Sequence, residues 1–449
     1  MGEIRVSDGK VDHRVRDAST WSGGGRGANG IYSDAATDCD RFIRHHRFEA
    51  RDAIDSKENG SVDTVKRDAA RESGRHTFAG PKAGSNLIPA VCDVSVTNVC
   101  NAACDFCGFS RDKNLVGPRR YVDLAGFSRA LPILRRRRIR YMTFQGGEPL
   151  VHPGIESLVA AATGAGIQCG LITNGWFLPR HIEGLASAGL KRLIISIDSD
   201  RMAAHEANRG LQGLQTRITE GIAGARNFGI PVAACVTMNR LVNYEALPDL
   251  LEMLGFESVA FSYPRREPFG SSSVVYSEDS ALLDQPPEEL IEALDSIKQL
   301  NKRFPVLDPA ASLDEVSRFL RGEQQRIPCV AGYKYFYVDW NLDVWRCEPW
   351  AQPMGSVFDL DSIPDQREPC NACMVSCYRH ASAMMHGAIA VTESAQALAR
   401  GNVRSAVGTL FQRGVGLSLW ALASAELPRM AFSARRRRIE QASPVDGAS

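Results

Sequence analysis

The chain has 449 residues, 44% of them hydrophobic, ample for more than one structural unit around a sizeable core. Its 53 Lys and Arg balance 52 Asp and Glu to a formal charge of +1, so no global field selects a nucleic-acid partner and recognition must be local. Twelve cysteines, eight of them in two tight groups, read as metal ligands rather than as the disulfide frame of a small secreted protein.

The polar start, Met1 to Lys10, has no apolar run of the secretory kind, and the expected residence is cytoplasmic. Residues 1–82 are charged and Gly-rich, as in Trp21-Ser-Gly-Gly-Gly-Arg26, without a sustained apolar period, and read as a disordered extension. From Leu87 onward, β-branched runs alternate with longer helical patterns. Strands are expected at Leu87–Val96, Tyr141–Gln145, Cys169–Thr173, Arg192–Ile197, Pro231–Thr237 and Ser258–Tyr263. Helices are expected near Asp123–Leu134, Ile155–Thr163, Pro179–Ala188, Leu214–Phe228, Tyr244–Leu254 and Pro287–Lys302. Six βα units with buried parallel strands curl toward a partial (β/α)6 TIM-like barrel within residues 83–305, short of the eight units that close one. Its chemistry belongs at the C-terminal strand ends. The run Arg135–Arg138, at the other end, reads as a solvated connection.

Directly after the first strand comes Cys100-Asn-Ala-Ala-Cys104-Asp-Phe-Cys107, a CxxxCxxC spacing. Structural zinc takes four protein ligands, and no fourth Cys or His lies close by in sequence. A 4Fe-4S cluster on three cysteines leaves one iron open to a small molecule. Buried or zinc-bound cysteines are the alternative. The spacing, Phe106 before the last cysteine and the place after the first strand resemble the radical S-adenosylmethionine (radical SAM) superfamily. That resemblance implies that the open iron chelates the amino and carboxylate groups of S-adenosylmethionine. Reductive cleavage then yields a 5′-deoxyadenosyl radical that takes hydrogen from substrate.

The segment Gln145-Gly146-Gly147-Glu148-Pro149, after the second strand, matches the GGEP signature of the same superfamily, where backbone groups hold the methionine amino group. Thr173-Asn174-Gly175 and Ser196-Ile197-Asp198 resemble strand-end segments that line the cofactor cleft. Gly146, Gly147, Glu148, Asn174, Ser196 and Asp198 are therefore cofactor-binding candidates. Arg209 offers a planar fork for the methionine carboxylate, with a surface charge at a helix start as the alternative. Asn239 is a candidate to face the adenosine, whereas Cys169 and Cys235 read as core.

Downstream, Cys329 and Cys347 flank an expected hairpin turning near Asn341, followed by Cys370, Cys373 and Cys377. The arrangement resembles the auxiliary-cluster modules SPASM and twitch, here over residues 306–382. Five cysteines instead of seven imply one further 4Fe-4S cluster on Cys329, Cys347, Cys370 and Cys373, with Cys377 an alternate ligand or structural thiol. A zinc knuckle is the alternative. The family usually has Gly in the hairpin turn, where this chain has Asn341-Leu342.

Residues 383–449 read as a helical extension. Gly414–Ala425 is apolar but too short to span a bilayer, and Arg435–Arg438 follows. Peripheral contact with the inner face of a membrane is one reading, a helix packed on the enzyme's own body the other. The expected activity is hydrogen abstraction from an unidentified small-molecule, peptide or lipid substrate, for oxidation or rearrangement, with electrons from ferredoxin or flavodoxin. No catalytic side chain is identifiable. Maturation of a ribosomal peptide, modification of a lipid or isoprenoid, and a non-catalytic zinc-binding protein are the competing readings.

Overall fold

A computed structural model of the chain describes residues 87–113, 117–265, 271–273, 280–368, 370 and 372–424. The extension expected at residues 1–82, Ala425 and the Arg435–Arg438 tail lie outside the described residues.

Six parallel strands follow the expected beat: β1 (Ala90–Ser95), β2 (Ile139–Gln145), β3 (Gln168–Thr173), β4 (Arg192–Ile197), β5 (Val232–Thr237) and β6 (Ser258–Ser262). Between them run α1 (Leu124–Arg136), α2 (Ile155–Gly164), α3 (Leu178–Ser187), α4 (Met202–Arg209), α5 (Leu214–Asn227) and α6 (Leu247–Leu254), followed by α7 (Pro287–Leu300) and α8 (Ala310–Leu320). Helix α1 starts where Asp123 accepts from the Gly126 N–H, satisfying one of the amides that a helix start leaves unpaired. Helix α4 escaped the sequence reading because its eight residues, Met-Ala-Ala-His-Glu-Ala-Asn-Arg, give barely two turns of pattern.

The sheet does not stop at six. Strand order is β6-β5-β4-β3-β2-β1-β7-β8-β9, with β7 (Tyr335–Val338) parallel to β1 and the short β8 (Asp343–Trp345) and β9 (Gly355–Ser356) antiparallel beyond it. The hairpin between the second group of cysteines is thus hydrogen-bonded directly to the first barrel strand. Along each strand, one face is sealed: Phe144, Leu171, Ile195, Val236 and Phe261 are at most 2% exposed, and Phe144 meets Phe127 of α1. The alternating residues Gln145, Ile172, Ser196, Cys235, Thr237 and Ser262 stay half-exposed on the inner face. Period-2 alternation in parallel strands covered by helices on one side leaves an open, partly polar inner surface on the other. Cys235 lies on that surface, its Sγ 3.4 Å from the Ser262 hydroxyl, and is not core as expected; Cys169, 1% exposed, is.

The Arg135–Arg138 connection is also not wholly solvated. Arg137 is 4% exposed, paired with Asp365 at 2.8 Å, and donates to the Ile363 carbonyl, so it clamps the segment after β9 to α1. A guanidinium can be buried there because its charge is matched and its donors are used.

Beyond the sheet, α9 (Ser376–Ala399) and α10 (Val403–Leu410) precede a last helix over residues 415–424. Among the described residues, no helix is long and apolar enough to cross a membrane.

Candidate active site

The chain leaves β1 through Thr97, whose hydroxyl donates to the Arg120 carbonyl and accepts from the Val99 N–H. The cysteine loop is then tied at both ends. The Ala103 N–H donates to the Arg209 carbonyl at 2.8 Å, and the Arg111 side chain donates to the carbonyls of Asn101 and Gly210. Helix α4, which like α8 is missing from the sequence reading, therefore shapes the loop.

Burial pushes the thiols of Cys100, Cys104 and Cys107 up, Cys100 to about 12; Glu148 and Cys107 add to it at Cys100, and Asp198, Cys107 and Cys100 add to it at Cys104. Arg209 acts in the opposite direction on all three. Three neighbouring thiols, each held above its usual range, are donors whose charge as thiolates a bound metal centre would compensate. Among the described residues, no three His, Cys, Asp or Glu close tightly enough on one point to hold a single ion. The fit thus rests on donor chemistry. It is supported by two unpartnered buried donors beside the loop, Nδ2 of Asn101 and Nε of Arg209.

Gly146 and Gly147 are required by the chain itself. A Cβ on Gly146 would stand 2.4 Å from the Thr97 carbonyl oxygen, and one on Gly147 2.3 Å from that of Val99. Gly146 also has φ +134°, which L side chains rarely adopt. The N–H groups of Gly147 and Glu148 donate to Thr97 and Val99, fastening the turn against the cysteine loop. Glu148, 1% exposed, accepts from the Thr173 hydroxyl at 2.6 Å, the Asn174 N–H at 2.7 Å and the Leu150 N–H, and so joins the ends of β2 and β3. Asn174 in turn donates to Asn101 inside the cysteine loop. Ser196 is half-exposed on the inner face.

Asp198 and Arg209 form a buried pair at 2.6 Å; Asn208 holds the second carboxylate oxygen and Asn239 donates to the Asp198 carbonyl. Burial, the largest single effect, would raise the Asp198 carboxyl, but Arg209, His205 and the Asn208 hydrogen bond together outweigh it and hold the carboxyl below its usual range. The converse holds Arg209 above its usual value despite burial. His205 is fully buried, accepts from the Asp198 N–H, and is pushed down to about 4 by burial, so its imidazole is neutral. Its Nε2 has no partner.

On the inner face, the wall between the two cysteine groups is polar. Tyr335 donates to Asp93 at 2.9 Å and Tyr337 to Ser95 at 3.0 Å, each reaching from β7 to β1. Glu348, the residue after Cys347, accepts from Gln145 and Ser273, both at 3.2 Å. Burial raises the Asp93 carboxyl to about 6 and the Glu348 carboxyl to about 8. Sequence reasoning missed these residues, though an Asp in the middle of Ala90-Val-Cys-Asp-Val-Ser95 was the available signal.

In the second group, burial and then Cys373, Cys329 and Cys370 raise Cys347, and Cys329 and Cys370 also raise Cys373. Cys377 stands differently: after burial, Glu348 and Asp93 raise it before Cys373 does. The hairpin turn is built on Asp339, whose carboxylate accepts from the N–H groups of Asn341 and Asp343 and from the Trp345 indole. Leu342, in the turn, adopts a left-handed φ of +65° that favours Gly. It is held by its side chain, 6% exposed and packed toward Gly126 of α1.

Residues 94–254 match the model of the Radical SAM superfamily. A GTP 3′,8-cyclase from Campylobacter fetus subsp. fetus is 29% identical over 212 residues, covering 46% of this chain and 64% of that protein. An AdoMet-dependent heme synthase from Nitratidesulfovibrio vulgaris is 32% identical over 115 residues, 25% of this chain and 31% of that one. The chain thus spans less than two thirds of either relative. Streptococcus suis SuiB bound to its precursor peptide SuiA is similar at a TM-score of 0.46 and 14% identity, covering 69% of this chain and 72% of SuiB. The family implies a 4Fe-4S cluster and S-adenosylmethionine. Residues 94–254, which carry the three-cysteine loop and the GGEP turn, thus make up a radical SAM domain.

Proposed function

We propose that the chain cleaves S-adenosylmethionine reductively and abstracts hydrogen from a substrate on the inner face of the barrel. The observation that carries this reading is the loop of three cysteines at the C-terminal end of β1, their thiols all held above the usual range, beside a GGEP turn. Cys100, Cys104 and Cys107 would hold the cluster. When bound, the cluster supplies the electron that opens the sulfonium to a 5′-deoxyadenosyl radical.

The chain's own residues do the positioning. Glu148 locks the ends of β2 and β3 and, through Asn174 and Asn101, the cysteine loop. Asp198 orients Arg209 and leaves its Nε as a buried donor for an anionic group such as a carboxylate. Gly146, Gly147, Ser196 and Asn239 complete the cofactor cleft. Two carboxyls on the inner-face wall, Asp93 and Glu348, favour a neutral or cationic substrate over the triphosphate that the cyclases' name implies.

An auxiliary 4Fe-4S cluster on Cys329, Cys347, Cys370 and Cys373 belongs to the same proposal, with Cys377 left free to face the inner surface. The boundaries at 83–305, 306–382 and 383–449, a flavodoxin or ferredoxin donor, and cytoplasmic residence are parts of it as well. Anaerobic reconstitution tests it: about seven to eight irons per chain and dithionite-driven release of 5′-deoxyadenosine are expected. Bound zinc without cleavage would overturn it. Cys377→Ser is expected to keep the full iron count, whereas Cys373→Ser loses about half.

A further inference from the structure

Helix α10 is attached to the molecule in an unusual sense. Ala406 is its only buried residue, and the contact to α9 runs through the Ser394 hydroxyl, which donates to the Ala406 carbonyl. The following helix is held the same way: Ser418 joins Ala383 and Gly387 of α9, with Ala421 and Val415 beneath it. Small residues thus face the protein, and the large apolar ones face out. Val403, Val407, Leu410 and Phe411 fall at i, i+4, i+7 and i+8, one helical face, and are 60%, 49%, 42% and 84% exposed. Trp420 on the next helix is 57% exposed. Scattered apolar residues on a surface are ordinary, but a whole helical face is not.

We propose that this face docks the chain onto an anionic lipid surface. Charge complementarity selects that occupant. From Ser394 to Ser424 the sequence contains no Asp or Glu, while Arg400, Arg404 and Arg413 flank the apolar face, all exposed. An apolar stripe with an aromatic at its end, basic residues around it and no carboxylate within its own stretch of chain is suited to the boundary of headgroups and acyl chains. Among the described residues no helix is long and apolar enough to span a bilayer, and the proposed contact is interfacial. The proposal goes beyond the radical reading and does not depend on it.

The test uses the full chain and vesicles of phosphatidylcholine alone or mixed with phosphatidylglycerol, read by co-sedimentation. Binding to the mixed vesicles, weakened by salt, is expected. Val407→Ser with Phe411→Ser should reduce it roughly tenfold or more, and Arg400→Glu with Arg404→Glu should remove the preference for the anionic lipid. Unchanged circular dichroism and melting temperature show that each variant is folded. Absence of vesicle binding by the unaltered chain, or equal binding by the Val407/Phe411 variant, overturns the proposal. So does binding that disappears with residues 425–449 removed while the Val407/Phe411 variant retains it, since the tail alone would then be responsible. A dimer in light scattering that Phe411→Ser dissolves, without vesicle binding, assigns the face to a second copy and equally overturns it.

Discussion

Arg209 sits at 7% exposure between the Asp198 carboxylate and three thiols, and its backbone carbonyl holds the cysteine loop. Removing one partner of a buried pair leaves an uncompensated charge, so Arg209→Met is expected to destabilise by about 3–5 kcal/mol, measured by denaturant unfolding. It should also lower iron incorporation. Asp93 gives a pH signature. Its carboxyl is raised from 3.8 to about 6 in the folded chain, mainly by burial. A raised folded value means that the native state holds the proton more tightly. Its contribution is therefore fully present below pH 4 and lost as pH rises through about 6. Asp93→Asn removes that loss and should stabilise the chain by roughly 3 kcal/mol at pH 8 relative to its effect at pH 4. The Tyr335 hydroxyl would donate to an amide oxygen in place of a carboxyl, which changes that bond at both pH values, so the difference between the two is the quantity to measure.

At the level of elements, Leu342 shows two effects opposed. A left-handed φ disfavours Leu by about 1–2 kcal/mol relative to Gly, whereas burying a Leu side chain is worth about 1.5–3 kcal/mol. Packing wins, and Leu342→Gly is expected to lower stability although it relieves the backbone; thermal melting decides. The basic run before β2 divides similarly. Arg137→Ala should cost about 2–3 kcal/mol, because it removes the buried partner of Asp365 and leaves that carboxylate only Arg367 at 3.2 Å, whereas Arg136→Ala, on an exposed pair with Asp361, should cost under about 1 kcal/mol. The sequence showed four identical arginines, and only their tertiary surroundings separate them. Period and composition made the six parallel strands legible, and cysteine spacing marked the loop after β1. What stayed hidden depends on neighbours distant in sequence: α4 was too short to show a period, and Cys235 looked like core because an apolar strand does not tell which face is covered. Glu348 could be placed beside Gln145 only once β7 was known to pair with β1.

At the scale of the molecule, the two cysteine groups hang on one continuous sheet, joined through the β1–β7 ladder and the Tyr335–Asp93 and Tyr337–Ser95 bonds across it. Shortening the chain after residue 305 would strip the partner from β1 and uncover Ala90-Val-Cys-Asp-Val-Ser95 as a raw sheet edge. An unprotected, largely apolar edge recruits other strands. The shortened chain is expected to self-associate or accumulate as insoluble material, and light scattering on refolded protein checks this. Chaperones handling the nascent chain face the same difficulty, since β1 emerges more than two hundred residues before the strand that covers it.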